Sequence, residues 1–166
     1  MNEGYYTVID LQVSSEGLLE LERQLRKALQ DNELEVVYQP QVKLADNELA
    51  GFEALMRWHS PELGIVSPGE FIPVAEEAGL ISPIGHWMLR EAAFQQREWL
   101  RAGLRPVRMA VNVSTMQFHQ PSFIDTVRGA LTDSGIPAGV CYIGMLGLAG
   151  LLTMCSLVLL VHPLAI

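Results

Sequence analysis

The 166-residue sequence predicts an α/β fold with a largely parallel sheet, on the basis of three observations. The length is sufficient for one domain with a hydrophobic core but short for two. Hydrophobic residues make up 49% of the chain and charged residues 18%, a composition that excludes disordered, collagen-like and coiled-coil proteins. Segments of strand composition alternate with segments of helical periodicity. A doubly wound domain of flavodoxin size fits this length, and the pattern alone leaves the architecture open.

An amphipathic helix and two strands are predicted first. Ser14 or Ser15 caps a helix that reaches about Gln30, with leucines at helical spacing on one face and charges on the other. We expect it to be an entry or linker helix. Residues 35–42 and 49–58 have strand composition and are separated by turn residues, which predicts two strands.

A loop and two helices come next. Residues 59–69 are rich in Pro and Gly and predict the loop, and residues 70–78 predict a short helix. Ser82 followed by Pro83 is the pattern of an N-cap and a first helical residue. A long helix is therefore expected from there to about Ala102.

The charged part of the chain ends with a strand and a helix. Residues 107–113 alternate in polarity and predict the strand, residues 121–131 predict the helix, and residues 134–139 predict a connection. No Asp, Glu, Lys or Arg follows Asp133. The composition therefore changes abruptly in the last part of the chain.

Charge and cysteine usage limit the possible partners and the compartment. The formal net charge is −8 and the sequence pI is near 4.9, which is the wrong sign for binding a polymeric nucleic acid. Cys141 and Cys155 form neither a CxxC pair nor a disulfide framework. The first residues lack the basic and apolar regions of a signal peptide. We expect a cytoplasmic protein.

Glu53 and Arg57 are the first candidate functional residues. They are four residues apart in a predicted strand, so that both point to the same face with Leu55 between them. Charged groups inside a strand are costly unless something pairs with them. One interpretation is a structural salt bridge, and the other is a metal-binding carboxylate beside a phosphate-binding arginine.

Two polar residues in other strands are open to similar alternatives. Asn112 lies in the otherwise apolar run MAVNVS, where its amide serves either a neighbouring loop or a ligand. Gln39 precedes a proline at a strand end and is either solvated or part of a site. Neither residue decides the matter alone.

Five segments between residues 38 and 114 form one larger pattern. They are YQPQV at 38–42, GFEALMRW at 51–58, FIPVAEEAGLI at 71–81, IGHWMLREAAFQ at 84–95 and VNVS at 111–114. In order and spacing they resemble the N-terminal half of an EAL domain, the phosphodiesterase of bacterial cyclic di-GMP signalling. The resemblance covers about residues 21–139.

The resemblance implies a TIM-type (β/α) barrel whose functional groups lie at the C-terminal strand ends. In that family the EAL glutamate and the NVS asparagine bind Mg²⁺ or Mn²⁺, which corresponds to Glu53 and Asn112. Arg57 corresponds to an arginine that contacts a substrate phosphate, and Gln39 and Leu55 to residues that line the ligand site. The implied reaction is metal-assisted hydrolysis of cyclic di-GMP to linear pGpG.

The resemblance ends near Gly139. The family continues with a strand that bears a metal-binding glutamate, then paired aspartates, a lysine and further carboxylates, whereas this chain has no acidic residue there. A complete barrel needs roughly 200 residues or more. We therefore expect three parts: an N-terminal segment and linker helix (1–30), a truncated EAL domain (31–139) and an aberrant apolar tail (140–166).

The tail has three open interpretations. It is a frameshift or fusion product, a diverged barrel strand and helix, or a C-terminal membrane anchor, although no Lys or Arg follows it. Because the segment after residue 146 is apolar nearly all round, we expect that at most a short strand near residues 140–143 joins the sheet.

Two functions also remain open. The first is an inactive fragment of a cyclic di-GMP phosphodiesterase, and the second is a noncatalytic EAL-like module that binds nucleotide or protein. Open barrel edges favour self-association, and a membrane partner is not expected.

Overall fold

The computed structural model describes residues 15–136 and, for the backbone alone, residues 141–146 and 159–160. The described helices are α1 (Ser15–Ala28), α2 (Pro68–Glu77), α3 (Ile81–Arg101), α4 (Thr115–Phe118) and α5 (Phe123–Ser134). The described strands are β1 (Leu34–Val42), β2 (Leu49–Ser60), β3 (Gly64–Val66), β4 (Arg108–Ser114), β5 (Cys141–Leu146) and β6 (Leu159–Leu160). Each helix and strand predicted up to residue 131 is found, and β3 and α4 are additional.

The strands form one mixed sheet in the order β1-β2-β4-β5-β6, with β3 paired to β2. Among the described strands, only β2 with β4 and β4 with β5 are parallel, and the other three pairs are antiparallel. The prediction of a largely parallel sheet is therefore wrong. The short connections from β1 to β2 and from β2 to β3 permit only antiparallel pairing, whereas the crossover from β2 to β4 contains two helices.

Part of the predicted loop at 59–69 is strand. β2 continues to Ser60, and the chain then reverses so that Ile65 pairs with His59. Gly64 has a φ of 74°, a backbone conformation that glycine adopts without steric cost. The glycine and proline content therefore marks a tight turn between two strands and not an irregular loop.

The two faces of the sheet differ in what covers them. The helix face carries buried apolar side chains that pack against the helices, namely Ala54, Met56, Trp58, Met109, Val111 and Val113. The inner face carries the alternate residues of β2 and β4, including Glu53, Arg57 and Asn112, which are half-buried. Side chains alternate between the faces of a strand. The polar candidates of β2 and β4 therefore lie on the inner face.

The first helix packs into the core. Leu21, Leu25 and Ala28 of α1 are buried in the main hydrophobic cluster. Gln24 is buried as well, and its side-chain amide donates to Glu62 in the turn between β2 and β3. The apolar stripe read from the sequence is thus the packing surface of α1.

The start of α3 differs from the prediction. The helix begins at Ile81 with Leu80 as its N-cap, and not after Ser82. Pro83 is tolerated in the first turn because the amides there have no intrahelical acceptor. The Ser82 hydroxyl instead accepts a hydrogen bond from Gln120. The Ser-Pro pair therefore marks the first turn but not the cap.

The backbone of β5 extends the sheet beyond β4, and its length corrects the expectation of a strand confined to residues 140–143. β5 is parallel to β4, and Asn112 pairs with Gly144. The edge of β4 offers backbone N–H and C=O groups along its whole length, so that a longer extended segment pairs with it. Apart from β5 and β6, the tail lies outside the described residues. Within the described ranges, no helix is long and apolar enough to span a membrane.

The close approach of β2 to β4 at Gly51 can be tested by substitution. A Cβ atom at Gly51 would lie 2.5 Å from the carbonyl oxygen of Arg108. We expect Gly51→Ala to lower the free energy of unfolding by about 1–3 kcal/mol, measured by urea denaturation, because the two backbones must separate. Gly129 in α5 is the matched control, since a Cβ there meets no atom within 4 Å. Gly129→Ala should stabilise the protein by about 0.5–1 kcal/mol.

Equal unfolding midpoints for Gly51→Ala and the wild-type chain would contradict this close approach.

Candidate functional site

Glu53 and Asn112 meet on the inner face of the sheet. The parallel register pairs Glu53 with Ala110, so that Asn112 lies two residues further along β4 on the same face. The side-chain Nδ2 of Asn112 donates to Oε1 of Glu53 at 2.7 Å. Both residues lie near the C-terminal end of the paired stretch, whose last pair is Ala54 with Val111. Two residues far apart in sequence thus share one polar contact.

Gln39 and Leu55 flank Glu53. Gln39 is the register partner of Glu53 across the β1–β2 hairpin, and Val37 is the partner of Leu55. Gln39 is exposed, whereas Leu55 is half-buried. The inner face therefore presents a carboxylate between an open amide and an apolar side chain.

Arg57 carries a positive charge that no carboxylate of the described residues neutralises. Its Nη1 donates to the carbonyl oxygen of Met56 at 2.8 Å. Six other arginines of the described residues form ion pairs with carboxylates, namely Arg23, Arg26, Arg90, Arg97, Arg101 and Arg128. The Glu53–Arg57 salt bridge considered from the sequence is therefore not formed. The guanidinium is available to an anion, which it can bind through two N–H groups.

The end of β2 that carries Arg57 is held from the helix face. The neighbouring Trp58 is fully buried, and its Nε1 donates to Oε2 of Glu33 at 2.9 Å. Its ring packs edge-on against Phe71 with the centroids 5.7 Å apart. The backbone N–H of His59 donates to the carbonyl oxygen of Glu33. These contacts fix the backbone of β2 directly after Arg57.

A capping box ends β4 two residues after Asn112. The backbone N–H of Ser114 donates to Oε1 of Gln117 at 3.1 Å, and the backbone N–H of Gln117 donates to Oγ of Ser114 at 3.2 Å. This capping box is not among the features predicted from the sequence, although Ser-x-x-Gln is a recognisable capping pattern. The pattern falls in a four-residue helix, where helical periodicity gives no signal.

Glu53 and Asn112 have the donor chemistry of part of a divalent-metal site. Carboxylate and amide oxygens are the hard ligands that Mg²⁺ and Mn²⁺ prefer, and Mg²⁺ commonly takes its remaining ligands from water and phosphate. Over the part of the chain that the structure describes, no group of three or more His, Cys, Asp and Glu residues could hold a metal ion. The pair therefore fits one portion of such a site.

Comparison with known proteins gives the family of the chain. The EAL domain model matches residues 22–141. The chain belongs to the EAL domain family. It is 41% identical over 121 residues to the bifunctional diguanylate cyclase/cyclic di-GMP phosphodiesterase MucR of Pseudomonas aeruginosa, which is 73% of this chain and 18% of MucR. It is also 41% identical over 120 residues to the cyclic di-GMP phosphodiesterase NbdA of the same organism, which is 72% of this chain and 15% of NbdA.

A solved EAL structure has the same fold over most of the described chain. The PaMucR phosphodiesterase in complex with c-di-GMP matches with a TM-score of 0.73 and 39% identity, over 75% of this chain and 51% of that chain. The resemblance read from the sequence is thus confirmed at the level of the family. The EAL chain spans less than a fifth of the two relatives and about half of the solved chain. Its mixed α/β structure is part of a TIM-type EAL domain.

Tyr38, the residue before Gln39, has a shifted pKa. Its ring lies on the helix face, with its centroid 5.1 Å from that of Trp99. Burial, together with the negative charge of Glu91, raises the pKa of the Tyr38 phenol to about 12, against an ordinary value near 10.0. The folded state therefore favours the neutral phenol. The resulting stabilisation is complete below pH 10.0 and is lost as the pH rises towards about 12.

This shift predicts a pH dependence of stability. We expect Tyr38→Phe, which keeps the ring, to remove the latest step in a spectrophotometric tyrosinate titration. The free energy of unfolding of the wild-type EAL chain should fall more steeply between pH 10.0 and about 12 than that of the variant. Identical titration curves for the two proteins would show that Tyr38 is not the late-ionising group.

Proposed function

We propose that this chain provides the N-terminal part of a site that hydrolyses cyclic di-GMP to linear pGpG in bacterial second-messenger signalling. The observation that carries the proposal is the 2.7 Å contact of Asn112 with Glu53 on the same face as the unneutralised Arg57. It unites the glutamate of GFEALMRW with the asparagine of VNVS. The names of MucR and NbdA, and the nucleotide bound in the solved PaMucR chain, support the choice of substrate.

In this proposal, Glu53 and Asn112 are the ligands that the chain offers to Mg²⁺ or Mn²⁺. When bound, such an ion polarises a phosphoryl oxygen and lowers the pKa of a coordinated water. Arg57 binds a phosphate oxygen of the substrate through its guanidinium, and this contact orients the phosphodiester on the inner face. Gln39 and Leu55 line the place of the ligand, Gln39 with a polar amide and Leu55 with an apolar surface.

We propose further that the 166-residue chain binds the nucleotide without turning it over. Hydrolysis at a two-metal site requires ions held about 3.5–4 Å apart, each in a defined geometry. Glu53 and Asn112 are two ligands, and no Asp, Glu or Lys follows Asp133 in this sequence. Among the described residues, no group of three or more His, Cys, Asp and Glu residues could hold a metal ion, so that the known donors are too few to fix two ions.

A second candidate function is a noncatalytic module that associates with another protein, including a second copy of itself. The observation that favours it is the position of β1 at the edge of the described sheet, next to the half-exposed inner face. Edge strands offer unpaired backbone groups to another chain. Light scattering over a range of concentrations tests this function, since a monomer at all concentrations would exclude self-association.

The phosphate contact of Arg57 predicts the effect of its removal. We expect Arg57→Ala to weaken cyclic di-GMP binding by roughly 10- to 100-fold in the presence of Mn²⁺, because a charge-assisted hydrogen bond is lost. Isothermal titration calorimetry measures the affinity. Arg128→Ala is the matched control, since Arg128 pairs with Asp125 in α5 and should not affect binding. Equal affinities of the Arg57 and Arg128 variants would refute the role of Arg57.

An assay of turnover tests catalysis separately from nucleotide binding. Incubation of the 166-residue chain with cyclic di-GMP and Mg²⁺ or Mn²⁺, followed by chromatography, should show no pGpG, because two protein ligands do not fix two ions. Hydrolysis that disappears in Glu53→Ala would overturn the proposal that this chain does not turn over. Absence of binding by the wild-type chain would instead favour the protein-association module.

A further inference from the structure

The segment after Asn112 is held by buried polar contacts that the proposed site does not use. Ser114 and Gln117 are 4% and 5% exposed, so that their capping box is shielded from water. A buried hydrogen bond is costly to lose, because the group left behind finds no water partner. The capping box of α2, formed by Ser67 and Glu70, is by contrast exposed, so that water can replace a lost partner there. Because the Ser114–Gln117 capping box is buried, it fixes the C-terminal end of β4 more firmly than an exposed capping box would.

The backbone of α3 packs against the side chain of Gln117. A Cβ atom at Gly85 would lie 1.7 Å from Nε2 and 2.7 Å from Cδ of Gln117. The Gln117 side chain therefore lies directly against the backbone of α3, in space that only a glycine leaves open. This contact restricts the rotamer of Gln117 and keeps its Oε1 on the backbone N–H of Ser114.

A second contact joins the same segment to α3. The side-chain amide of Gln120, in the turn after α4, donates to the hydroxyl of Ser82 in the first turn of α3. Ser82 and Gly85 are three residues apart, and so lie on the same side of that helix. The chain from Ser114 to Gln120 is thus attached to α3 at two neighbouring points.

We propose that Gln117, supported by Gly85, is a positioning residue for Asn112. Asn112 and Ser114 are two residues apart in β4, so that the backbone fixed at Ser114 also sets the direction of the Asn112 side chain. This orientation brings Nδ2 of Asn112 to within 2.7 Å of Glu53. The inference rests on the proposed function for its significance, since Asn112 is there a metal ligand.

The test uses the amide signal of Asn112 in the full 166-residue chain. The side-chain NH₂ pair of Asn112 is assigned in a ¹⁵N–¹H spectrum by its absence in Asn112→Asp. Gln117→Met keeps the length of the side chain but removes the acceptor for Ser114. We expect this variant to move the Asn112 signal towards that of a solvated amide, and to weaken Mn²⁺ binding about 10-fold or more.

A conservative variant and a stability control complete the test. Gln117→Glu keeps the acceptor oxygen of a capping box and should restore the Asn112 signal. Val127→Ala in α5 loses buried apolar contacts of the core and should leave the signal unchanged. If Gln117→Met does not fold, Ser114→Ala removes one of the two bonds and should give the same displacement, with Ser114→Thr as its conservative partner.

The outcomes separate this inference from the proposed function. An unchanged Asn112 signal in Gln117→Met, or an equal shift in Val127→Ala, would overturn the positioning role. Failure of the wild-type chain to bind Mn²⁺ would count against the metal ligands of the proposed function. In that case the signal of the metal-free protein still decides whether Gln117 positions Asn112.

Discussion

The parallel register of β2 against β4 is the constraint on which the candidate site depends. It pairs Glu53 with Ala110 and thereby brings Asn112 to the carboxylate on the same face. A slip of one residue would turn Asn112 to the helix face and bury its amide among apolar side chains, at a cost that no partner there offsets. Gly51 permits this register because it lets the carbonyl of Arg108 approach the β2 backbone.

Because side chains alternate along β2 and β4, the residues that stabilise the sheet and the residues of the candidate site lie on opposite faces. Trp58 is fully buried on the helix face, while the adjacent Arg57 remains half-buried on the inner face. The apolar side chains of the helix face bury surface against α2 and α3, which stabilises the sheet. The polar residues of the inner face are thus held in place by neighbours in sequence whose side chains lie on the helix face. Changes on the helix face therefore affect the site through the backbone.

The sequence predicted the features that depend on neighbouring residues, whereas side-chain partners that depend on packing could not be read from it. Alternation placed Glu53, Leu55 and Arg57 on one face, as the structure has them. Whether Arg57 pairs with Glu53 could not be read from spacing, because the answer depends on which side chains the fold brings to the inner face. The N-cap of α3 could not be predicted for the same reason, because the Ser82 hydroxyl accepts a hydrogen bond from Gln120, which is far from it in sequence. The antiparallel pairs follow from connection lengths, which the sequence does contain.

The acidity of the chain bears on how it can hold an anion. A net charge of −8 repels a phosphodiester at long range, but salt screens this repulsion beyond about 8 Å at physiological ionic strength. The charges close to a bound anion therefore determine whether it is attracted or repelled. Glu35, the register partner of Arg57, directs its carboxylate to Nε2 of His59 at 3.2 Å and leaves the guanidinium unpaired. In the proposed function, a divalent cation held by Glu53 and Asn112 would offset the negative charge of that carboxylate, and Arg57 would supply a second positive charge to the phosphodiester.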